Sequence, residues 1–323
     1  PPPLQHHLLT PPAYRPLTPP LPPLPQLPPP LQHHLSHYHL YAIGNALVDS
    51  EYEVSDAQLQ AMGVDKRHMT LIDTPRRAQL LAHRGAGPLL GLFSKNYIPM
   101  EVDRLNRKEL AAVTPSLAEM TQVALASLQG SSEGFFLMVE GGRIDHAAHA
   151  NDAIGAILDQ IAFDDAIATV LKFIATNPDT LLIVTTDHGT GGLQVNGVGS
   201  EDFDSKLPSY NETDRTFLRL TQFNRSLEQV KLEAKDFKKP KEWQDLLVAA
   251  TGLNFKAADL AKVIGMKTLT EAIPKYSGIG FTSMNHTGEL VEFSAIGPGS
   301  ALFTPFMRND QVHAHLLRAT GLA

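Results

Sequence analysis

The chain of 323 residues contains no cysteine. That absence excludes disulfide scaffolds, thiolate zinc sites, Fe–S clusters and cysteine nucleophiles, so any metal must sit on His, Asp or Glu. Long hydrophobic runs are lacking too, and no membrane-spanning helix is expected. Basic charge is in short supply: 27 Lys and Arg stand against 34 Asp and Glu, a net charge of -7. This excludes the basic footprint with which proteins grip nucleic-acid phosphates, so no nucleic-acid partner is expected. What is present, 43% hydrophobic and 19% charged residues, suffices for a sizeable buried core.

The first forty residues differ in composition from the rest. Fourteen of the 24 prolines lie in residues 1–30, six of the 14 histidines lie between His6 and His39, and Arg15 is the only charged residue before position 40. Proline removes backbone donors and fixes φ, so residues 1–40 are expected to be extended or disordered chain. Prolines interrupt every leucine cluster, which rules out the apolar stretch of a signal peptide. The Pro19–Pro30 stretch would suit an SH3-type groove. The start at Pro1 leads to the expectation of a truncated or mis-joined product, with residues 41–323 forming a partial catalytic domain.

Beyond that segment the chain alternates in type. Helices are expected at Ser55–Gly63, at Thr74–His83, and from Thr114-Pro115-Ser116 to Leu128. Leu89–Phe93 reads as a short buried strand. Phe135–Val139 and Leu181–Thr186 are continuous apolar runs, the pattern of strands buried on both faces, and a helical repeat from Ile154 to Ile174 separates them. Strand, helix, strand is a βαβ unit whose strands should run parallel. Residues 200–280 are more polar and read as a helical insertion, with helices near Phe217–Lys231 and Trp243–Val263. Ile279–Phe281 and Leu290–Ala295 should then rejoin the sheet, and Asn309-Asp310 should cap a last helix ending near Gly321.

The metal-capable residues follow from this arrangement. Glu140 ends the first strand, Asp145 and His149 open the next helix four residues apart, and Asp187-His188 ends the second strand. All would collect outside the carboxyl ends of the strands, where open α/β sheets bind ligands. The i, i+4 spacing puts Asp145 and His149 on one helix face. A His/Asp set suits Zn²⁺ and an all-oxygen set suits Mg²⁺. Singly, Asp145 could cap a helix, His149 could be a surface residue and Asp187-His188 could open a turn; only the joint placement points to metal.

Those residues also carry a resemblance. Phe135-Phe136-Leu137-Met138-Val139-Glu140-Gly141-Gly142-Arg143-Ile144-Asp145-His146-Ala147-Ala148-His149, followed by Asn151-Asp152-Ala153, resembles the metal-binding signature of the alkaline phosphatase family. Thr185-Thr186-Asp187-His188-Gly189-Thr190-Gly191-Gly192 and Asn285-His286-Thr287-Gly288 resemble its second and third metal segments. Pro115–Met120, Phe163–Ala166 and Gly297–Ser300 are similar to further family segments, so the resemblance covers roughly residues 85–323. It implies a three-layer α/β/α fold with a mostly parallel central sheet, cut short at the N-terminus. It also implies hydrolysis of phosphate monoesters at a site of two Zn²⁺ and one Mg²⁺. Asp145, His149 and His286 would hold one zinc, Asp187 and His188 would help hold the second, and Glu140 would help hold magnesium. His146 would lie near the substrate phosphate. Export to a periplasmic or extracellular space and a homodimer are implied in the same way.

Four groups of the family pattern find no motif here: a serine nucleophile, the aspartate bridging zinc and magnesium, a hydroxyl ligand of magnesium and a phosphate-binding arginine. Asp49-Ser50 is a poor substitute, because Glu51 beside it would repel a phosphate. A non-catalytic metal-binding fragment, or a related phosphodiesterase or sulfatase, are the alternatives.

Overall fold

The computed structural model describes residues 40–43, 76–84, 89, 91, 93–94, 97–132, 134–195, 218–253, 255–260 and 266–321. The Pro/His-rich opening up to His39, the helix expected at Ser55–Gly63, and Asp49-Ser50 lie outside the described residues. So do Leu90 and Leu92, and Leu89, Gly91 and Phe93 around them form no strand.

Strand β1 (Leu40–Ile43) is followed by helices α1 (Arg76–Ala82), α2 (Glu101–Asn106), α3 (Lys108–Val113) and α4 (Leu117–Leu128). Helix α4 starts where its sequence says it should. Ser116 accepts from the Glu119 backbone N–H (3.2 Å), and the Glu119 carboxylate accepts from Ser116 N (2.9 Å), a reciprocal cap that satisfies two orphan donors. Arg77 of α1 then reaches the same carboxylate and ties the two helices together.

Strand β2 (Phe136–Val139) leads through Glu140 into a short helix α5 (Arg143–His149), and helix α6 (Ala153–Ile174) follows. The expected single helix is thus two. Asn151 sits at φ 53° and breaks the run, and Asp152 caps α6 by accepting from Gly155 N at 3.0 Å. Strands β3 (Leu182–Thr185), β4 (Gly189–Thr190) and β5 (Leu193–Val195) come next.

After a 3₁₀ turn at Leu220–Gln222 come helices α7 (Leu227–Glu233), α8 (Pro240–Thr251), α9 (Ala257–Leu260), α10 (Met266–Ala272) and α11 (Pro274–Ser277). Strands β6 (Ile279–Phe281), β7 (His286–Thr287) and β8 (Phe293–Ile296) and helix α12 (Asn309–Thr320) complete the chain. Helix α12 begins at Asn309 itself. The Gln311 carboxamide, accepting from Arg308 N at 2.8 Å, supplies the cap that Asn309-Asp310 was expected to give.

The strand pairing departs from a mostly parallel sheet. Strand β2 pairs in parallel with β1, from Leu40 opposite Phe136 to Ile43 opposite Val139. Strand β3 pairs antiparallel with β8, β4 with β7, and β5 with β6. Among the described residues β2 and β3 share no ladder and belong to separate two-stranded pieces, so the strands of the expected βαβ unit are not hydrogen-bonded neighbours. The three antiparallel ladders are nested, β5 with β6 inside β4 with β7 inside β3 with β8, so the chain returning from α11 runs back along the segment Leu182–Val195. Neither apolar strand is buried on both faces. Phe136 is 47% and Met138 39% exposed, because nothing among the described residues covers that face of β2. Likewise Leu290, expected to open the last strand, is 84% exposed and β8 begins at Phe293.

One apolar cluster joins α2, α5 and α6 to the segment 220–281. Met100, Val102, Ala147 and Ile154 share it with Leu227, Val230, Trp243, Leu247, Leu269 and Ile279. Each fully buried Leu or Ile contributes roughly 1.5–3 kcal/mol, so this cluster fixes the inner face of α5, the helix of Asp145 and His149. Buried carboxylates stitch the same seam. Asp103 accepts from Ser226 N (2.9 Å) and Ser226 Oγ (2.6 Å), and Asp152 accepts from Leu227 N (2.6 Å), so two scaffold acids hold the N-terminus of α7. No helix among the described residues is long and apolar enough to cross a membrane.

A third acid, Asp159, is buried on α6 and accepts from Glu101 N at 3.0 Å. Burial pushes its carboxyl up to about 7. A folded-state value above the unfolded one means its contribution is fully present below about pH 4 and is lost as pH rises through about 7. Asp159→Asn keeps the accepting oxygen and removes the charge. It is expected to raise the unfolding free energy at pH 8 by on the order of 3 kcal/mol, with no difference at pH 3.5. Urea denaturation at both pH values checks this; a variant less stable at pH 8 would show that the ionised form is the one the fold requires.

Candidate metal centre

Glu140 sits immediately after β2, Asp145 and His149 on α5, Asp187-His188 between β3 and β4, and His286 on β7. Spacing along α5 brings the first pair together: His149 Nε2 lies 3.4 Å from Asp145 Oδ1. The third residue arrives through a ladder only two residues long. Thr190 opposes His286 and Gly189 opposes Thr287, which places His286 Nε2 at 3.9 Å from Asp145 Oδ1. One ligand atom from each of Asp145, His149 and His286 thus falls within 4.8 Å of the others. Donors about 2.1 Å from a tetrahedral ion stand roughly 3.4 Å apart, so small side-chain adjustments would close the set around Zn²⁺.

The hydrogen bonds around this set fix its protons. A carbonyl oxygen can only accept, so the 2.6 Å contact between His149 Nδ1 and Met284 O puts a proton on Nδ1. In the neutral ring, Nε2 then turns a lone pair toward the Asp145 carboxylate, an arrangement of two acceptors that a cation between them would relieve. Thr190 Oγ1 donates to Asp145 Oδ1 at 2.6 Å and so orients that carboxylate.

The same logic extends to His188. With the Thr190 hydrogen committed to Asp145, His188 Nδ1 must donate to Thr190 Oγ1 and Gly189 O, both at 3.2 Å. Its Nε2 lies 3.1 Å from Asp187 Oδ2. The His188 ring stacks on His286, with centroids 3.5 Å apart. Among the described residues no third protein ligand joins Asp187 and His188.

Glu140 is half-buried, and its Oε2 has no hydrogen-bond partner. Burial and then the charges of Asp187 and Asp145 hold its carboxyl above the ordinary range. His146 stands between the two α5 ligands in sequence and is not among the three residues whose ligand atoms converge. Its Nδ1 takes a hydrogen bond from Arg143 Nη1 at 3.1 Å, and its ring lies 4.4 Å from that of Tyr97. Burial and the Arg143 charge hold it below the usual imidazole value.

Backbone geometry lets these pieces approach. Gly191 has φ 75°, and a Cβ there would stand 2.8 Å from the Ala148 carbonyl oxygen on α5. Gly191 N donates to Asn285 O, and Gly191 O accepts from Thr282 and Ser283 N, so this one residue seats the His286 loop against α5. Thr190, Gly191 and Arg143 lay inside the segments read from sequence without being singled out. The Met284 carbonyl, Tyr97 and Glu228 gave no local signal, because none stands at an informative spacing from a ligand.

A mixed histidine and carboxylate centre at the meeting of strand ends and a short helix defines an α/β protein with a candidate metal site. The chain belongs to the alkaline phosphatase family: the family's sequence profile matches residues 60–322, starting earlier than the resemblance read from motifs. Over 227 residues the chain is 32% identical to alkaline phosphatase 4 of Bacillus subtilis, covering 70% of this chain and 47% of that protein. Over 131 residues it is 47% identical to the repressible alkaline phosphatase of Saccharomyces cerevisiae, covering 38% of this chain and 21% of that protein. Among solved structures, Thermus thermophilus alkaline phosphatase superposes with a TM-score of 0.67 at 28% identity, over 76% of this chain and 55% of that one. The cold-active enzyme of Shewanella sp. gives 0.61 at 28% identity, over 82% and 62%. The chain spans about half the length of the Bacillus relatives it matches.

Thr190→Val removes the hydrogen bond that orients Asp145 and leaves the ligands in place. It is expected to weaken zinc binding about 10- to 100-fold, and Gly191→Ala to weaken it at least as much. Competition titration against a chromogenic zinc chelator measures both; wild-type affinity in Thr190→Val would show that Asp145 needs no such orientation.

Proposed function

We propose that this chain carries the metal centre of a phosphate monoester hydrolase. The observation that carries the reading is the convergence of Asp145, His149 and His286, with the His149 proton directed to the Met284 carbonyl. In this reading Asp145, His149 and His286 hold one Zn²⁺, Asp187 and His188 contribute to a second, and Glu140, with its unpartnered buried oxygen, contributes to Mg²⁺. Bound there, the ions would supply activation of an oxygen nucleophile, stabilisation of the leaving alkoxide and shielding of the phosphate charge. The protein's own work is positioning: Thr190 aims Asp145, Met284 sets the His149 tautomer, and the stacked His188 and His286 rings hold each other in register. Export and self-association are further parts of the proposal, suggested by family membership.

No motif in the sequence matches the family's serine nucleophile, bridging aspartate or phosphate-binding arginine. That favours, as a second reading, a metal-binding chain without catalysis of its own. Loss of one member of a catalytic unit commonly costs on the order of a thousandfold, and further losses add little. The chain is therefore expected to hydrolyse a chromogenic aryl phosphate at alkaline pH at least about a thousandfold more slowly than a complete family member. The residual rate should need zinc, vanish in Asp145→Ala and persist in Ser50→Ala. Full-strength turnover abolished by Ser50→Ala would instead make Ser50 the nucleophile, and zinc-replete protein that retains no zinc would remove the metal centre altogether.

A further inference from the structure

Among the described residues Asn151 alone combines a side chain beyond glycine with a left-handed backbone, at φ 53°. Asparagine tolerates that region better than most residues, but such a conformation persists only where its surroundings hold it. Both chain neighbours are held. Ala150 N donates to His146 O at 3.1 Å, and buried Asp152 accepts from Gly155 N at 3.0 Å and Leu227 N at 2.6 Å. The joint between α5 and α6 therefore decides where the Asn151 side chain goes. A continuous helix through residue 151 would lay that side chain along the helix surface, so it is the break that sends it elsewhere.

It goes to the loop ahead of His286. Two carbonyl oxygens face the carboxamide, and carbonyls only accept, so the amide nitrogen is the atom that meets them. Nδ2 then donates to Ser283 O at 2.8 Å and to Ala148 O at 3.1 Å. Ser283 is thereby held by both its backbone groups, because its N–H donates to Gly191 O at 3.1 Å. Ala148 O is the same atom that a Cβ on Gly191 would strike, so Asn151 and Gly191 meet α5 at one carbonyl. A peptide unit is planar, and fixing Ser283 O fixes the plane that leads into Met284. Met284 O accepts the proton of His149 Nδ1, and His286 follows two residues later.

We infer that Asn151 is a positioning residue of the candidate centre: its carboxamide holds the loop Thr282–Asn285 on α5, so that the Met284 carbonyl keeps the His149 proton on Nδ1 and His286 stands beside Asp145. The consequence for zinc rests on the metal centre proposed above. The loop contact and the His149 tautomer do not. The break between α5 and α6 thus has a use at the site, since it aims an amide donor at a loop that lies more than 130 residues further along the chain.

Asn151→Gly removes the carboxamide and keeps the left-handed backbone free of strain, so it isolates the side chain. ¹⁵N NMR of the metal-free full chain labelled at histidine, with His149 assigned by its loss in His149→Gln, should show Nδ1 protonated and Nε2 bare in the wild type. Asn151→Gly should give a mixture of tautomers. Zinc affinity, titrated against a chromogenic chelator, should fall about tenfold with the stoichiometry at saturation unchanged. Asn151→Asp keeps the shape and sets an acceptor against two carbonyls, so it should lose at least as much in both measurements; it decides the matter by the same two readings if Asn151→Gly fails to fold. A folded variant with the wild-type His149 pattern, or with wild-type zinc affinity, would overturn the inference, as would a proton on His149 Nε2 in the metal-free wild type. If the nitrogen signals change as expected and the wild type retains no zinc, the positioning role is supported and the metal reading is what fails.

Discussion

Two residues of β-ladder hold the candidate centre together. Gly189 and Thr190 against Thr287 and His286, flanked by the β3–β8 and β5–β6 ladders, bring His286 to the β3–β4 side of the site. Without it, Asp145 and His149 would remain an i, i+4 pair on a short helix, and two ligands rarely hold Zn²⁺ against water. So short a ladder contributes little alone. It is supported by the β3–β8 and β5–β6 ladders on either side, by Gly191, which lets the β4–β5 link meet the Ala148 carbonyl, and by the hydrogen bonds of Met284 and Thr190 to His149 and Asp145.

The other face of α5 is held by different physics. Ala147 is buried in the apolar cluster shared with α7, α8 and α10, while Asp145 and His149 turn toward the ladder. Buried Asp103 and Asp152 add directional bonds to that packing by receiving the α7 N-terminus. Burial pushes Asp152 up to about 6, yet it accepts from Gly155 and Leu227 N on separate oxygens, which is work for the charged form. Unpairing either bond would strand a buried charge, which is far costlier than the bond is worth. Specific docking of α7, and with it of Glu228 beside Arg143, is what these acids secure.

Local features were the legible part of the fold. The opening of α4 after Ser116, the end of β2 at Val139, the extent of α6 to Ile174 and the stop of α12 at Gly321 all follow from spacing and turn chemistry within a few residues. Strand partners were not legible. Apolar runs such as Phe136–Val139 announce a strand and leave its neighbour unstated, and β1 and β8 as the partners of β2 and β3 were not foreseen. The break between α5 and α6 was hidden for another reason: Asn151 fits a helical repeat as well as a turn, and only its left-handed backbone tells them apart.

The sequence by itself determined the chemistry available: no thiolate anywhere, a carboxylate and an imidazole one helical turn apart, and motifs specific enough to imply a family. Tertiary structure alone decided which lone pairs meet. His149 and the Met284 carbonyl are 135 residues apart, and Arg143 and Glu228 are 85 apart. Contacts at such separations depend on packing and ladder register, which short-range periodicity does not encode, and it is these contacts that place the proton on His149 Nδ1 and seat Arg143 between α5 and α7.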